Sequence, residues 1–195
     1  MKYLMFIAIA FSFSNSVLAD QAIVHKTGRY NENALRQSGM TIMEDYGSFV
    51  LVESPQGVQN SMLKNNNYDY NPVSDGTTIC LCNHPFDTKV GPSENIPARL
   101  KIEDYPMGTK GLYLVQFKGP IKDKWLDDLK NSGDIEIVEY IPNNTYIVRM
   151  NPTDRDNVKT GLSTARWTGI FQPAYKLSSG LQKKGGGLVD VSFMV

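Results

Sequence analysis

Histidine and cysteine are nearly missing: the 195-residue chain holds two of each. That scarcity excludes most histidine-based acid–base chemistry and leaves no ready four-ligand metal set. Charge of one sign is lacking as well. Twenty Lys+Arg balance twenty Asp+Glu with no basic cluster, which argues against nucleic acid as a partner. There is no G-x-S-x-G elbow, no HExxH and no P-loop. Beyond the first twenty residues no apolar run approaches the ~20 residues that span a bilayer, so stable membrane insertion is not expected. What is present is 41% hydrophobic and 10% aromatic residues. A chain of this length can bury a core without dense disulfides, in one or two domains.

Lys2 precedes a mainly apolar run from Tyr3 to Phe13. Ser12, Ser14, Asn15 and Ser16 then form a polar region, and Val17-Leu18-Ala19 places tolerated residues at the −3 and −1 positions of a cleavage site. Residues 1–19 therefore read as a secretory signal peptide cleaved after Ala19. The mature chain is expected to be secreted, periplasmic or extracellular.

The rest reads as two copies of one unit. Leu35-Arg36-Gln37-Ser38-Gly39 matches Leu129-Lys130-Asn131-Ser132-Gly133, and Asp45-Tyr46 falls on Glu139-Tyr140 at the same offset. Further on, Phe49-Val50-Leu51 falls on Tyr146-Ile147-Val148, Ser54-Pro55 on Asn151-Pro152, and Tyr70-Asn71-Pro72-Val73 on Phe171-Gln172-Pro173-Ala174. In the clearer second copy (112–177), Leu112 to Lys118 alternates as a strand. Gly119-Pro120 opens a helix whose stripe is Ile121, Trp125, Leu126 and Leu129, with Gly133 just past its end. Asp134 to Tyr140 reads as a strand buried on at least one face, Pro142-Asn143-Asn144 as a turn, and Thr145 to Met150 as the returning strand. Asn151-Pro152 caps a helix over Thr153 to Leu162, and Arg166 to Phe171 is a last strand. The order β-α-β-β-α-β predicts an α+β fold of two tandem ferredoxin-like units, antiparallel sheets with helices on one face. The first copy (20–73) is a degenerate version, with Gly57 interrupting its second helix. Residues 74–111 carry Pro85, Pro92, Pro97 and Pro106 with little periodicity, apart from a strand-like Thr77 to Cys82, and read as an insertion between the units. Residues 178–195 read as a Gly/Lys linker ending in an apolar strand, Leu188 to Val195.

Chemistry-bearing residues cluster at Cys80-Leu81-Cys82-Asn83-His84. On a strand, alternation would put both thiols and the imidazole on one face. Three readings fit. One is a disulfide, geometrically tight across a single intervening residue; the others are a pair of free thiols and a metal cluster short of a fourth ligand. No metal and no cofactor is assigned. Asp127-Asp128 and Asp154/Asp156 sit on predicted helices, where a solvated face or a helix-dipole role suffices. No catalytic residue is assigned. Asn143-Asn144-Thr145 is a glycosylation sequon whose first use in a hairpin is the turn, and Lys183-Lys184 lies in the linker.

The string from Tyr113-Leu114-Val115-Gln116-Phe117-Lys118-Gly119-Pro120-Ile121 to Trp125 continues as Val138-Glu139-Tyr140-Ile141-Pro142-Asn143-Asn144-Thr145-Tyr146-Ile147-Val148-Arg149-Met150. With Gln172-Pro173-Ala174-Tyr175-Lys176 it resembles the N-terminal prodomains of subtilisin-like serine proteases. The resemblance covers Leu112 to Ser178 and reaches the first copy only through the internal repeat. It implies a ferredoxin-like propeptide that assists folding of a protease and blocks its active site until cleaved. The partner it implies is a subtilisin-like serine protease domain, in cis or in trans. The Asp, His and Ser motifs of such an enzyme are absent from this sequence, so the chain is expected to be a non-catalytic pro-region, truncated or acting in trans. An extracellular adhesion or assembly module, using a sheet edge or the Leu188–Val195 strand, is the alternative.

Overall fold

The computed structural model describes residues 20–54, 60–73, 75–81, 84–92 and 96–177. The expected signal peptide, the 178–195 linker and strand, Gly57 and Cys82 lie outside the described residues. The chain divides between Pro72 and Val73 into two compact units, and each is α+β with antiparallel pairing.

The first unit runs β1 (Asp20–His25), α1 (Glu32–Gln37), β2 (Thr41–Asp45), β3 (Phe49–Ser54), α2 (Asn60–Asn65) and β4 (Tyr70–Val73). Its sheet order is β2-β3-β1-β4. Asn31 caps α1 by accepting from the Ala34 N–H at 3.0 Å. One face of the sheet, with Ala22, Val24, Val50 and Val52, packs on Leu35, Met40 and Leu63.

The second unit begins with a short hairpin, β5 (Thr78–Ile79) and β6 (Phe86–Asp87), and a 3-10 turn at Ala98–Leu100. β7 (Gly111–Phe117), α3 (Asp123–Asn131), β8 (Glu136–Ile141), β9 (Thr145–Met150), α4 (Pro152–Gly161) and β10 (Ala165–Ile170) follow, then a 3-10 turn at Pro173–Lys176. The sheet order is β10-β7-β9-β8. Both units therefore share one chain order and one spatial order, with the first and third strands central.

Several local expectations shift. α3 starts at Asp123, not at Pro120; Lys122 is the N-cap without a side-chain bond, and Asp123 supplies negative charge to the first turn. α4 starts as the sequence indicates: Asn151 accepts from the Asp154 N–H at 2.9 Å and Pro152 holds the first position. β8 is not a half-buried strand. A bulge between Ile137 and Glu139 breaks its alternation, and Val138, Glu139 and Tyr140 are all exposed. The strand-like Thr77–Cys82 stops at Ile79, where the Leu81 N–H turns back to the Ile79 carbonyl.

The segment read as an insertion is, in its described residues, part of the second unit's core. Ile79, Leu81, Phe86 and Ile96 form one cluster with Leu114, Ile141, Ile147, Phe171, Ala174 and Tyr175. Pro85 and Pro97 suppress periodicity, yet apolar residues placed irregularly still reach the sheet.

Candidate functional site

The second unit is organised around β7, which is buried on both faces. Phe117 stacks on Trp125 of α3, ring centroids 5.9 Å apart at 18°, and Arg155 of α4 lies over the Tyr113 ring at 5.8 Å. Tyr113 and Phe117, with Val115 between them in alternation, thus make the helix-facing side. Burial opposes the Arg155 charge, but the bond to Asp104 and the neighbouring Asp156 outweigh it and hold its pKa above the ordinary value.

Leu112, Leu114 and Gln116 face the other way, under a cover drawn from residues 75–81, 84–92 and 96–102. This cover is fastened by polar side chains as well as by its apolar cluster. Gln116 is fully buried; its Oε1 lies 2.8 Å from the Thr88 hydroxyl and its Nε2 donates to the Asn143 carbonyl at 3.2 Å. Asn143 Nδ2 donates to the Thr78 and Asp75 carbonyls at 3.0 and 3.2 Å. At the far end, the Gln172 carboxamide pairs with both backbone groups of Ile102, at 2.7 and 3.0 Å. Both faces of this sheet are therefore occupied by the unit's own chain.

At the β8 edge of the sheet Val138 is 46% and Tyr140 51% exposed. Beside it a shallow cleft of about 430 Å³ is lined by Pro120, Ile121, Tyr140, Asn144 and Tyr146. The Tyr140 and Tyr146 rings meet edge-on at 5.3 Å. A second cleft, about 510 Å³, lies at the C-terminal ends of α3 and α4, between Asp128, Asn131, Ser132, Thr160 and Thr164. In the second cleft the Ser132 and Thr160 hydroxyls donate to the backbone carbonyls of Leu129 and Asp156. The sequence pattern did not single out the β8 edge, because the bulge that exposes it leaves no mark in residue type.

The residues flagged by chemistry do not assemble. Cys80 is exposed just past β5, with Sγ 3.3 Å from Asn143 Nδ2. His84 turns its ring onto Tyr175, at 5.6 Å. With the strand ended at Ile79, alternation no longer places Cys80 and His84 on one face; Cys82 lies outside the described residues. His25 belongs to the first unit, where its Nε2 is 3.0 Å from Asn71 Nδ2. Among the described residues no group of three or more His, Cys, Asp or Glu is placed to hold a metal ion. No helix among them is long and apolar enough to cross a membrane.

A match to a curated protein points toward proteases. The chain is 30% identical over 139 residues to the Dictyostelium discoideum protein named serine protease/ABC transporter B family protein tagA. That stretch is 61% of this chain and 8% of the relative's length. No solved structure matches. Residues 63–172, which include the cover, β7 to β10 and both helices of the second unit, match a family described as a domain of unknown function (DUF8729). That is more than half of the chain, and the chain belongs to this family.

Proposed function

We propose that this chain is a secreted, non-catalytic pro-region that inhibits, or assists the folding of, a subtilisin-like serine protease, in cis or in trans. The similarity to a protein named a serine protease supports the reading. The fold is compatible with it. Read from one edge, strand orders β2-β3-β1-β4 and β10-β7-β9-β8 are each fourth-first-third-second in chain order, and this supports the proposal of ferredoxin-like units at 20–73 and 112–177. Physically, a module that binds the native protease better than the unfolded one favours the native state by mass action. Occupying a substrate cleft with extended chain gives inhibition by strand addition.

The test is to titrate the exported chain against several purified subtilisin-like proteases and to follow both hydrolysis and refolding of the denatured enzymes. Slow-onset inhibition or faster recovery of activity is expected with at least one. No effect on either, across the set, rejects the reading.

The exposed β8 edge favours a second reading, an extracellular assembly module that pairs this strand with a partner. Concentration-dependent association, abolished by Val138→Lys together with Tyr140→Lys, is its signature; a monomer at all concentrations removes it. The Leu188–Val195 strand of that reading lies outside the described residues.

A further inference from the structure

One Asn-X-Ser/Thr sequon in the sequence is open to N-glycosylation, Asn143-Asn144-Thr145; Asn151-Pro152-Thr153 is barred by its proline. The sequon occupies the β8–β9 turn, with Asn143 and Asn144 both left-handed at φ +66° and +58°. A hairpin turn in an exported chain is where an attached sugar is ordinarily tolerated. The second unit is built otherwise.

Asn143 Nδ2 has two protons to donate, and the acceptors within reach belong to the cover. The protons serve the Thr78 carbonyl at 3.0 Å and the Asp75 carbonyl at 3.2 Å, with Cys80 Sγ a further contact at 3.3 Å. The Asn143 backbone carbonyl accepts from Gln116 Nε2 at 3.2 Å and from the Thr145 hydroxyl at 3.1 Å. Thr145, the third sequon residue, is fully buried. The Asn143 carboxamide thus joins the turn to the cover, and its backbone carbonyl joins the turn to β7 beneath it and to Thr145 of β9.

We infer that the Asn143 carboxamide is the latch that fastens residues 75–80 over the sheet, and that this latch and an N-linked glycan exclude each other. Glycosyl transfer replaces one Nδ2–H bond with a bond to the anomeric carbon of the sugar; the proton leaves and the lipid pyrophosphate of the donor is released. One proton then remains for two carbonyls, and the sugar would occupy the space filled by the 75–80 backbone. The native second unit therefore carries no sugar at Asn143, and a chain glycosylated there cannot close its cover. The inference does not depend on the protease reading.

Two measurements on the full chain test it. In a host without glycosylation, Asn143→Gly keeps the left-handed backbone at ease, so only the carboxamide is lost. Thr88 and Thr78 donate their amides to the Thr77 and Asp75 carbonyls inside the cover. Hydrogen exchange at these two amides is expected to quicken about tenfold or more, with first-unit amides unchanged. Unchanged exchange at Thr78 and Thr88 overturns the latch. In a glycosylating secretory host, the mass of the wild-type chain is read before and after enzymatic glycan removal. Sugar confined to chains whose Thr88 amide is unprotected supports the exclusion, as does no sugar at all on protected chains. Sugar at Asn143 on chains with a protected Thr88 amide overturns it.

Discussion

A carboxamide with no solvent exposure must satisfy both its oxygen and its NH₂ within the protein, and near the end of β7 Gln116 does so with groups from the cover and from the β8–β9 turn. Replacing it with Leu keeps the volume but removes both bonds, leaving the Thr88 hydroxyl to the Thr77 carbonyl and the Asn143 carbonyl to the Thr145 hydroxyl. Gln116→Leu is expected to lower unfolding free energy by about 1 kcal/mol, read from urea melts followed by tryptophan fluorescence. Tyrosines give the pH dependence. Burial raises the phenol pKa of Tyr175, Tyr113 and Tyr46 above the ordinary value. A raised folded-state pKa means the folded chain holds the proton more tightly than the unfolded one. That contribution is complete below about pH 10 and is lost as pH rises through the raised values. Alkaline unfolding is therefore expected above about pH 10, with loss of ellipticity accompanying ionisation of these buried tyrosines. A chain that keeps its ellipticity after all its tyrosines have ionised would contradict it.

At the scale of elements, the internal repeat was legible where side chains make local bonds. Ser38 and Ser132 both return their hydroxyls to the carbonyl of the buried leucine three residues earlier, Leu35 and Leu129, at 2.5 and 2.7 Å. Helix ends announce themselves because one side chain meets one nearby backbone group. Strand equivalence was less legible. The sequence match set Val50 on Ile147, yet Val50 faces the helices of its unit and Ile147 faces the cover. The slip is odd-numbered, and one residue is enough to exchange the two faces of a strand. Asn151 marks the most readable boundary: Asn151→Ala removes the bond to the Asp154 amide and is expected to cost about 1 kcal/mol, lowering the thermal midpoint by a few degrees. Gly133 adds a sterically defined case. A Cβ there would overlap the Asp154 carboxylate of the same cap, so Gly133→Ala is expected to destabilise by about 1–3 kcal/mol in the same melts, and a neutral result would contradict that packing.

At the scale of the whole chain, both tryptophans, Trp125 and Trp167, lie in the second unit. Fluorescence therefore reports that unit alone, whereas far-ultraviolet ellipticity reports both. Two units with separate cores are expected to give non-coincident denaturant transitions by these probes; superimposable curves would show a single cooperative unit. The α+β class was readable from hydrophobic periodicity. The cover was not. Its apolar residues, Ile79, Leu81, Phe86 and Ile96, follow neither a period of two nor one of 3.6, and only their meeting with Leu114 and Ile147 reveals them as core. The candidate site was similarly hidden. Cys80 and His84 stood out by chemical type, while the open edge at Val138 and Tyr140 depends on a bulge that tertiary pairing sets.

The cover also imposes an order in time. It precedes in the chain every strand that it shelters, so Ile79, Leu81, Phe86 and Ile96 emerge before Leu114, Ile147 and Phe171 have been delivered. The Gln172–Ile102 clasp joins residues 70 positions apart. Contacts so distant in sequence must close a long loop before any stabilisation returns, which slows folding. A chain caught midway through synthesis presents an apolar segment whose partners in the sheet have yet to be made. The second unit therefore cannot complete its core until Gln172 has been added.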